Sequence, residues 1–519
     1  MEAKKNVIES YTPFSQSRIW EFNRQYYQKV GLEAWNTGVV PHHLTSNAMV
    51  GKSYASIIYG MLLDLAVKGK NNERVYILEL GAGHGRLCFH ILRHLENMIE
   101  RSAFSLPPFT YILSDIAEQN LDYFINHAQF ETYFDRGMLD VAYYDAVHSD
   151  AIVLRHSGLT ILPKFLNQVL IAIGNYFFDS IPHDLFYINK GRVSECLVSI
   201  TTDNHETTSE NIPMEDLDLE YFNNEISIPY YKDESIETLL QYYSHELKKA
   251  YLLMPSVGIQ CIEKLKALSN EGLMVITMDK GSQHLSELEG RERPDYITHG
   301  SFSLNVNYHA FAMHCNNSNG LALFSSSSNY FLELGCLFYL NAGANYKETM
   351  AAFESNVNDF GPDDFFGLTK YTYDNIPQMS IRDLILFIRL SCYDSTFFYN
   401  ILPHFKQRVK AINNHEKDRV SQTLHKIWHM YFVLDENYDL AFEMGGIFFD
   451  LGMFTDALTY FDYSTRLFGD NEDTLYNKAL CFYQLRQDEA LISLLKNVRE
   501  EHPAYARMQE LAKLDLGID

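Results

Sequence analysis

The residues best suited to chemistry lie at 75–85, Val75-Tyr76-Ile77-Leu78-Glu79-Leu80-Gly81-Ala82-Gly83-His84-Gly85. An apolar run delivers an acid and then glycines at a GxGxG spacing, and an amphipathic stretch follows at once. Glycine at such positions lets a ligand approach the backbone where a Cβ would clash, and it supplies positive φ for a tight turn. Dinucleotide sites instead use GxGxxG to cradle a pyrophosphate on a helix N-terminus; here the position after Gly85 is Arg86. Glu79 beside the turn suits an ammonium or hydroxyl group better than a phosphate, which makes Glu79, Gly81, Ala82, Gly83 and Gly85 candidate ligand contacts. Three later apolar runs end in the same way: FTYILS in Asp115, LDVAYY in Asp145-Ala146, and QVLIAIG in Asn175-Tyr176-Phe177-Phe178-Asp179-Ser180-Ile181-Pro182. Each acid alone reads as a helix cap or a solvated loop residue. Their recurrence at successive tips points to one shared site.

The elements that must position these residues follow from the hydrophobic pattern. Short apolar runs alternating with amphipathic stretches predict buried parallel strands separated by helices, an α/β core. Residues 1–70 read as helical, interrupted by polar residues at Trp35-Asn36-Thr37-Gly38. Asn189-Lys190-Gly191 between two alternating runs predicts a hairpin over 185–200. The acidic stretch 201–235 reads as an exposed insertion, 236–270 as helix, and LMVITM (273–278) as a further strand. Beyond about 346 the pattern is helical. Within it, Gly445, Phe448, Gly452, Phe454, Ala457, Phe461 and Ser464 follow the spacing of a tetratricopeptide repeat, and Ala479 and Phe482 repeat Gly445 and Phe448 after 34 residues. Pro503 falls where the first copy has Gly469. An ordinary helical bundle is the competing reading of that echo.

Composition narrows the classes. The 519 residues carry Lys+Arg 42 against Asp+Glu 67, a net charge of −25 that would repel a phosphate backbone. Nucleic acid is therefore not an expected partner. The seven cysteines are widely spaced with no CxxC, and no HExxH occurs, so buried free thiols are expected and no metal site. No apolar h-region opens the chain, and no run reaches the roughly 18–20 apolar residues of a membrane span. The expectation is a cytoplasmic protein with no membrane association.

The acid-plus-glycine turn at Glu79–Gly85 resembles motif I of class I S-adenosylmethionine-dependent methyltransferases. The resemblance implies a Rossmann-like sheet with helices on both faces, with Asp115 on the ribose and Asp145 with Ala146 at the adenine. VLIAIGNYFFDSIPHDLFYI further resembles the Asn-Glu-x-x-Asp-Ala-Leu-Pro motif of the MidA-like methyltransferases, a family that includes a mitochondrial protein-arginine methyltransferase acting in complex I assembly. His43-Leu44-Thr45-Ser46-Asn47 is similar to that family's Thr-Ser-Pro-Glu, and Met278-Asp279-Lys280-Gly281 to its Asp-Tyr-Gly. Ser301 to Tyr308 followed by NYFLELG (329–335) is similar to its Asp-x-Thr-x-His-Val-Asp-Phe followed by Phe-Leu-x-x-Leu-Gly. Together these stretches span about 20–345.

The departures lie on the acceptor side: Tyr176 stands for Glu, and Ser301, Asn305 and Asn307 for Asp, His and Asp. Acids there would hold a guanidinium bidentately. The implied function is methyl transfer from S-adenosyl-L-methionine to a protein acceptor, arginine by resemblance, recruited by the C-terminal repeats. Asn175 and Asp179 are the candidate catalytic residues, with Asp179 as orienter or proton acceptor. Tyr176 either stacks on a planar acceptor or fills the space left by Glu. His84 and His183 read as exposed loop residues. The alternative is a catalytically inactive methyltransferase fold serving as a scaffold for protein assembly. The expected divisions are an N-terminal helical segment packing on the cofactor site (1–70), a methyltransferase domain (71–345), a helical linker domain (346–436) and tetratricopeptide-like repeats (437–519).

Overall fold

The computed structural model describes residues 6–32, 43–203, 212–294, 297–298, 302–326, 332–340, 345–434 and 438–495, and beyond these only 508, 510 and 513. The stretch at 35–38, Ser301 and Pro503 lie outside the described residues. The chain forms two units, residues 1–367 and 368–519.

In the first unit, chain order gives β1 (Asn6–Pro13), α1 (Ile19–Val30), α2 (Ala48–Val67), β2 (Val75–Glu79), α3 (Arg86–Glu100), β3 (Phe109–Asp115), β4 (Leu139–Tyr143) and β5 (Leu170–Asn175). Then come β6 (Asp184–Asn189), β7 (Arg192–Thr202), β8 (Asp218–Glu225), β9 (Lys249–Met254), β10 (Gly272–Ser282), β11 (Leu321–Phe324), β12 (Leu332–Leu340) and α4 (Lys347–Phe353). An eight-stranded sheet runs β11-β12-β10-β5-β2-β3-β4, with the short strand Val306–Asn307 pairing the end of β10. β4, β3, β2, β5 and β10 are all parallel, and β12 and β11 close the far edge antiparallel. β3 is buried along its whole length and most of β2 and β5 with it, as expected of continuous apolar runs covered on both faces. The chain leaves β2 toward β3 on one side and returns to β5 on the other. Doubly wound sheets bind ligands at the carboxyl ends of the strands flanking such a reversal.

The second sheet is antiparallel and five-stranded, in the order β1-β7-β6-β9 with β8 on the other edge of β7. The expected hairpin is present as β6 and β7, with Asn189 opposite Arg192. Two other expectations are corrected here. Residues 6–13 are strand rather than helix, and 218–225 form a paired strand rather than an exposed insertion. Both are edge partners of β7, whose 11-residue length templates them. Asn6–Pro13 shows no period-2 burial, and Asp218–Glu225 alternates only over its first half, at Leu219 and Tyr221, before its last four residues run exposed. The 236–270 region likewise contains β9 between two helices.

The helical stretch Leu44–Val67 is long and apolar enough to cross a membrane by length and composition. Most of it is buried: Gly51 packs against His90 on α3, and Gly60 meets the backbone of Glu348 and Thr349 so closely that a Cβ would lie 2.7 Å from a carbonyl oxygen. Asp64 on α2 accepts from the backbone N–H groups of Glu348 and Thr349 and from the Thr349 hydroxyl, capping α4. These bonds tie residues 347–353, beyond the expected boundary at 345, into the first unit, which runs to residue 367.

The second unit is helical: α5 (Ile381–Leu390), α6 (Ser395–Val409), α7 (Asn414–His429), α8 (Leu440–Asp450), α9 (Phe454–Phe468), α10 (Glu472–Gln484) and α11 (Asp488–Leu495). Ser380, Asp394, Asn413, Asp439 and Asn471 each cap a helix by accepting a backbone N–H. α8 crosses α9 at Gly445, where a Cβ would stand 2.7 Å from the Phe461 ring. All seven cysteines are buried free thiols.

Candidate functional site

A cavity of about 440 Å³ opens at the carboxyl ends of β2 to β5, on the reversal in strand order. It falls within the roughly 300–1,000 Å³ of small-molecule sites. Glu79, Gly81, Ala82, Gly83, Asp115, Asp145, Ala146 and Asn175 all line it. Thus eight of the proposed contacts, drawn from four strand tips, meet in one place.

The glycine turn is built by backbone need. Gly81, Gly83 and Gly85 have φ of 62°, 60° and 77°, a region that L side chains rarely adopt. Leu80 N–H donates to Ile173 and Ala82 N–H to Ser114, so the turn is fixed to both neighbouring strands. Asp115 adds a third tether: its Oδ2 accepts from Gly83 N–H at 3.0 Å and its Oδ1 from Ala117 N–H at 2.9 Å. Gly85 is placed differently from its expected role. It caps α3 and faces Phe124 and Phe130 rather than lining the cavity.

Glu79 is 5% exposed, and its hydrogen-bond partner is the Tyr111 hydroxyl at 2.8 Å. Burial pushes its carboxyl up to about 8, against the lowering effect of Tyr111 and with a further push from Asp115. Asp145 is the opposite case. Burial would raise it, but the His148 ring, the Val147 N–H and the Arg24 guanidinium outweigh that and hold it below the ordinary carboxylate range. Arg24 reaches its Oδ2 at 2.5 Å.

Asn175 is fixed at both ends of its amide: Tyr54 donates to Oδ1 at 2.6 Å, and Nδ2 donates to the Thr45 carbonyl at 3.0 Å. Thr45 and Ser46, from the stretch compared with Thr-Ser-Pro-Glu, reach the cavity in this way. Tyr176 lines the wall with φ of 47°, a strained conformation for an aromatic residue, and its N–H donates to the Met278 carbonyl.

Asp179 does not line the cavity. It lies behind the lip, 2% exposed, accepting from Ser180 Oγ at 2.7 Å. Burial raises its carboxyl, as it does that of Asp279, whose Oδ2 accepts from Phe178 N–H. The two acids brace the turn that carries Tyr176 and Phe177. His84 and His183 are buried, not exposed: His84 lines the cavity and accepts from Arg86 N–H, while His183 bonds the Phe178 carbonyl and stacks on Trp20.

On the expected acceptor side, Asn305 is exposed and Asn307 caps the helix Tyr308–Asn317 by accepting from Ala310 N–H. Neither lines the cavity. An Asp would cap that helix equally well, so the exchange at 307 changes no charge inside the cavity.

The contribution of α1 was legible only as a segment. Trp20, Asn23, Arg24 and Tyr27 form one wall of the cavity. Their i, i+3, i+4, i+7 spacing is the one signal available in the sequence, and it reads equally as an ordinary packed helix face.

Residues 61–276 match the model of a family described as "Putative S-adenosyl-L-methionine-dependent methyltransferase". No curated protein matches the chain. Among solved structures, two from Burkholderia thailandensis are similar: an uncharacterized superfamily protein in native form, at 12% identity and a TM-score of 0.40, and a member of the same superfamily bound to S-adenosyl-homocysteine, at 12% and 0.41. Each similarity covers 65% of this chain and 90% of the other. The family match contains the glycine turn and all four strand tips that meet at the cavity, and on that ground the chain carries an S-adenosyl-L-methionine-dependent methyltransferase domain whose cofactor is S-adenosyl-L-methionine.

Proposed function

We propose that this chain transfers a methyl group to a protein acceptor that its C-terminal helices recruit, with a cofactor-binding half of MidA-like type. The observation that carries the reading is the convergence of Glu79, the Gly81–Gly83 turn, Asp115, Asp145 and Asn175 on one cavity. The parallel strand order, with a reversal between β3 and β5 and an antiparallel edge, supports a Rossmann-like class I sheet.

The donor set fits the cofactor. S-adenosyl-L-methionine supplies a methyl group on a cationic sulfonium and carries an ammonium as well. Glu79 is a buried carboxylate with only a hydroxyl on it, and a cationic ligand would let it ionise. Gly81 and Gly83 leave backbone surface open to close approach. Ile116, Tyr144, Ala146 and Val147 supply an apolar wall suited to a purine. Asn175, held by Tyr54 and Thr45, stands at the lip where the acceptor would enter, and Asp179 acts from behind through the turn. The protein's share of the chemistry is alignment and exclusion of water, since a displacement at a sulfonium needs mainly proximity and line of approach.

Arginine is the acceptor that the resemblance implies. The wall around Tyr176, Phe177, Ile181 and Pro182 is apolar, and of the carboxylates lining the cavity Glu21 pairs with Arg18 at 3.3 Å. The C-terminal reading rests on Gly445, Ala457, Phe461, Ser464 and Ala479, small or aromatic residues that are interior or at a close helix crossing, at tetratricopeptide spacing.

The test is calorimetric titration of the full chain with S-adenosyl-L-methionine, followed by labelled methyl transfer into a lysate with and without residues 437–519. Binding followed by labelling of protein, lost on deletion while affinity is retained, is the expected result. Binding without any transfer would favour the scaffold reading.

A further inference from the structure

Asp145 has no acceptor capacity left for an adenine amino group. An ionised carboxylate offers about four lone-pair sites. Oδ1 accepts from Val147 N–H at 2.9 Å and, more weakly, from His148 N–H at 3.4 Å; Oδ2 accepts from the His148 ring at 3.0 Å and from Arg24 at 2.5 Å. Arg24 is itself fixed at a second point by donating to the Tyr143 hydroxyl at 3.0 Å. It projects from α1, whose residues Trp20, Asn23 and Tyr27 stand in the cavity wall beside it. Along the same helix, Asn23 donates to the Ser180 carbonyl at 3.3 Å and accepts from Phe302 N–H at 3.1 Å. The helix is therefore pinned to the β5 side of the cavity by a neutral amide and to the β4 side by an ion pair. The Asp145 side chain is 6% exposed and that of Arg24 32%, so the pair is partly withdrawn from solvent and less screened than a fully exposed bridge.

We infer that Arg24 is a positioning residue for the cofactor: through Asp145 it clamps α1 across the cavity, and Asp145 serves as the anchor of that helix rather than as a hydrogen-bond acceptor for adenine. The inference rests on the cofactor reading above and deepens it. It makes the adenine end a formed wall, held by Arg24, Tyr143, Asp145 and His148, against which the base packs by shape. Recognition there tolerates loss of the exocyclic amine, which a carboxylate acceptor would not.

Calorimetry on the full chain with two probes tests this: S-adenosyl-homocysteine and its analogue with hydrogen in place of the adenine amino group. Arg24→Met and Asp145→Asn should each weaken both probes by the same factor, about 10-fold for a coupling of ordinary size. The double variant should be no weaker than the poorer single one, and Arg24→Lys should recover part of the loss. Hydrogen exchange over 19–30 should quicken in Arg24→Met while 86–100 is unchanged, which separates loss of the clamp from unfolding. Loss confined to the amino-bearing probe in Asp145→Asn would overturn the inference, as would undiminished binding in Arg24→Met. If the unmodified chain binds neither probe, the cofactor reading fails, and this role fails with it.

Discussion

Glu79→Gln isolates a cavity acid whose side-chain partner is a hydroxyl rather than a cation. Burial holds the Glu79 carboxyl at about 8 against an ordinary 4.5. An acid whose folded value is raised contributes stability that is complete below 4.5 and is lost as pH rises through 8, because the folded state binds the extra proton. At about 1.4 kcal/mol per unit, the loss is about 3 kcal/mol by pH 7 and about 5 above pH 8. Gln keeps an oxygen for the Tyr111 hydroxyl and cannot ionise. The variant should therefore match the parent at pH 5 and exceed it at pH 8 and 9 by a few kcal/mol. Urea unfolding read by hydrogen exchange in peptides from β2 and β3 confines the measurement to this region, since a chain of two units need not unfold in one step. The same substitution should weaken S-adenosyl-L-methionine binding and abolish a proton release on binding that the parent shows near pH 7, detectable by calorimetry in two buffers of different ionisation enthalpy. Parallel stability curves for parent and variant from pH 5 to pH 9 would refute the argument, because they would mean that Glu79 is already ionised at neutral pH.

Gly83→Arg places a side chain in the cavity at φ of 60°; binding should be lost by calorimetry while circular dichroism is retained. Tyr54→Phe removes the hydroxyl that holds Asn175, leaving the buried amide oxygen unpaired at a cost of about 1–3 kcal/mol; a lower melting temperature and weaker cofactor binding are expected, with Asn175→Ala more severe on both measures. Gly445→Val drives methyl groups into the Phe461 ring and should destabilise the C-terminal unit by about 1–3 kcal/mol in denaturant titration, with no effect on cofactor affinity.

The cofactor half was legible because its signals are local. Val75–Gly85 announces strand, turn and helix within eleven residues, and buried parallel strands write themselves as continuous apolar runs. β1 and β8 were not legible because a sheet edge is defined by its partner: Asn6 pairs Thr202 and Asp218 pairs Thr201, nearly 200 and 17 positions away in sequence, and neither strand carries a buried face that alternates. The wall from α1 was hidden for a related reason. Trp20, Arg24 and Tyr27 occupy one helix face whatever that face meets. His84 and His183 read as loop residues, but burial depends on what covers the loop, and here Trp20 stacks on His183.

The substitutions that set this chain apart from the MidA-like pattern bear unequally on function once they are placed. Asn307 keeps the capping role that an Asp would have, and Asn305 is exposed, so neither removes a charge from the cavity. Tyr176 is different, because it lies in the wall at strained φ on a turn that Asp179 and Asp279 brace from behind. A strained residue persists only where its surroundings over-determine it. The bracing is intact while the side chain it presents has changed from acid to aromatic. Among the three described positions, acceptor preference is therefore expected to follow 176: Tyr176→Glu should shift methyl transfer toward guanidinium acceptors without altering cofactor affinity, and a change of cofactor affinity instead would mean that Tyr176 belongs to the cofactor's wall.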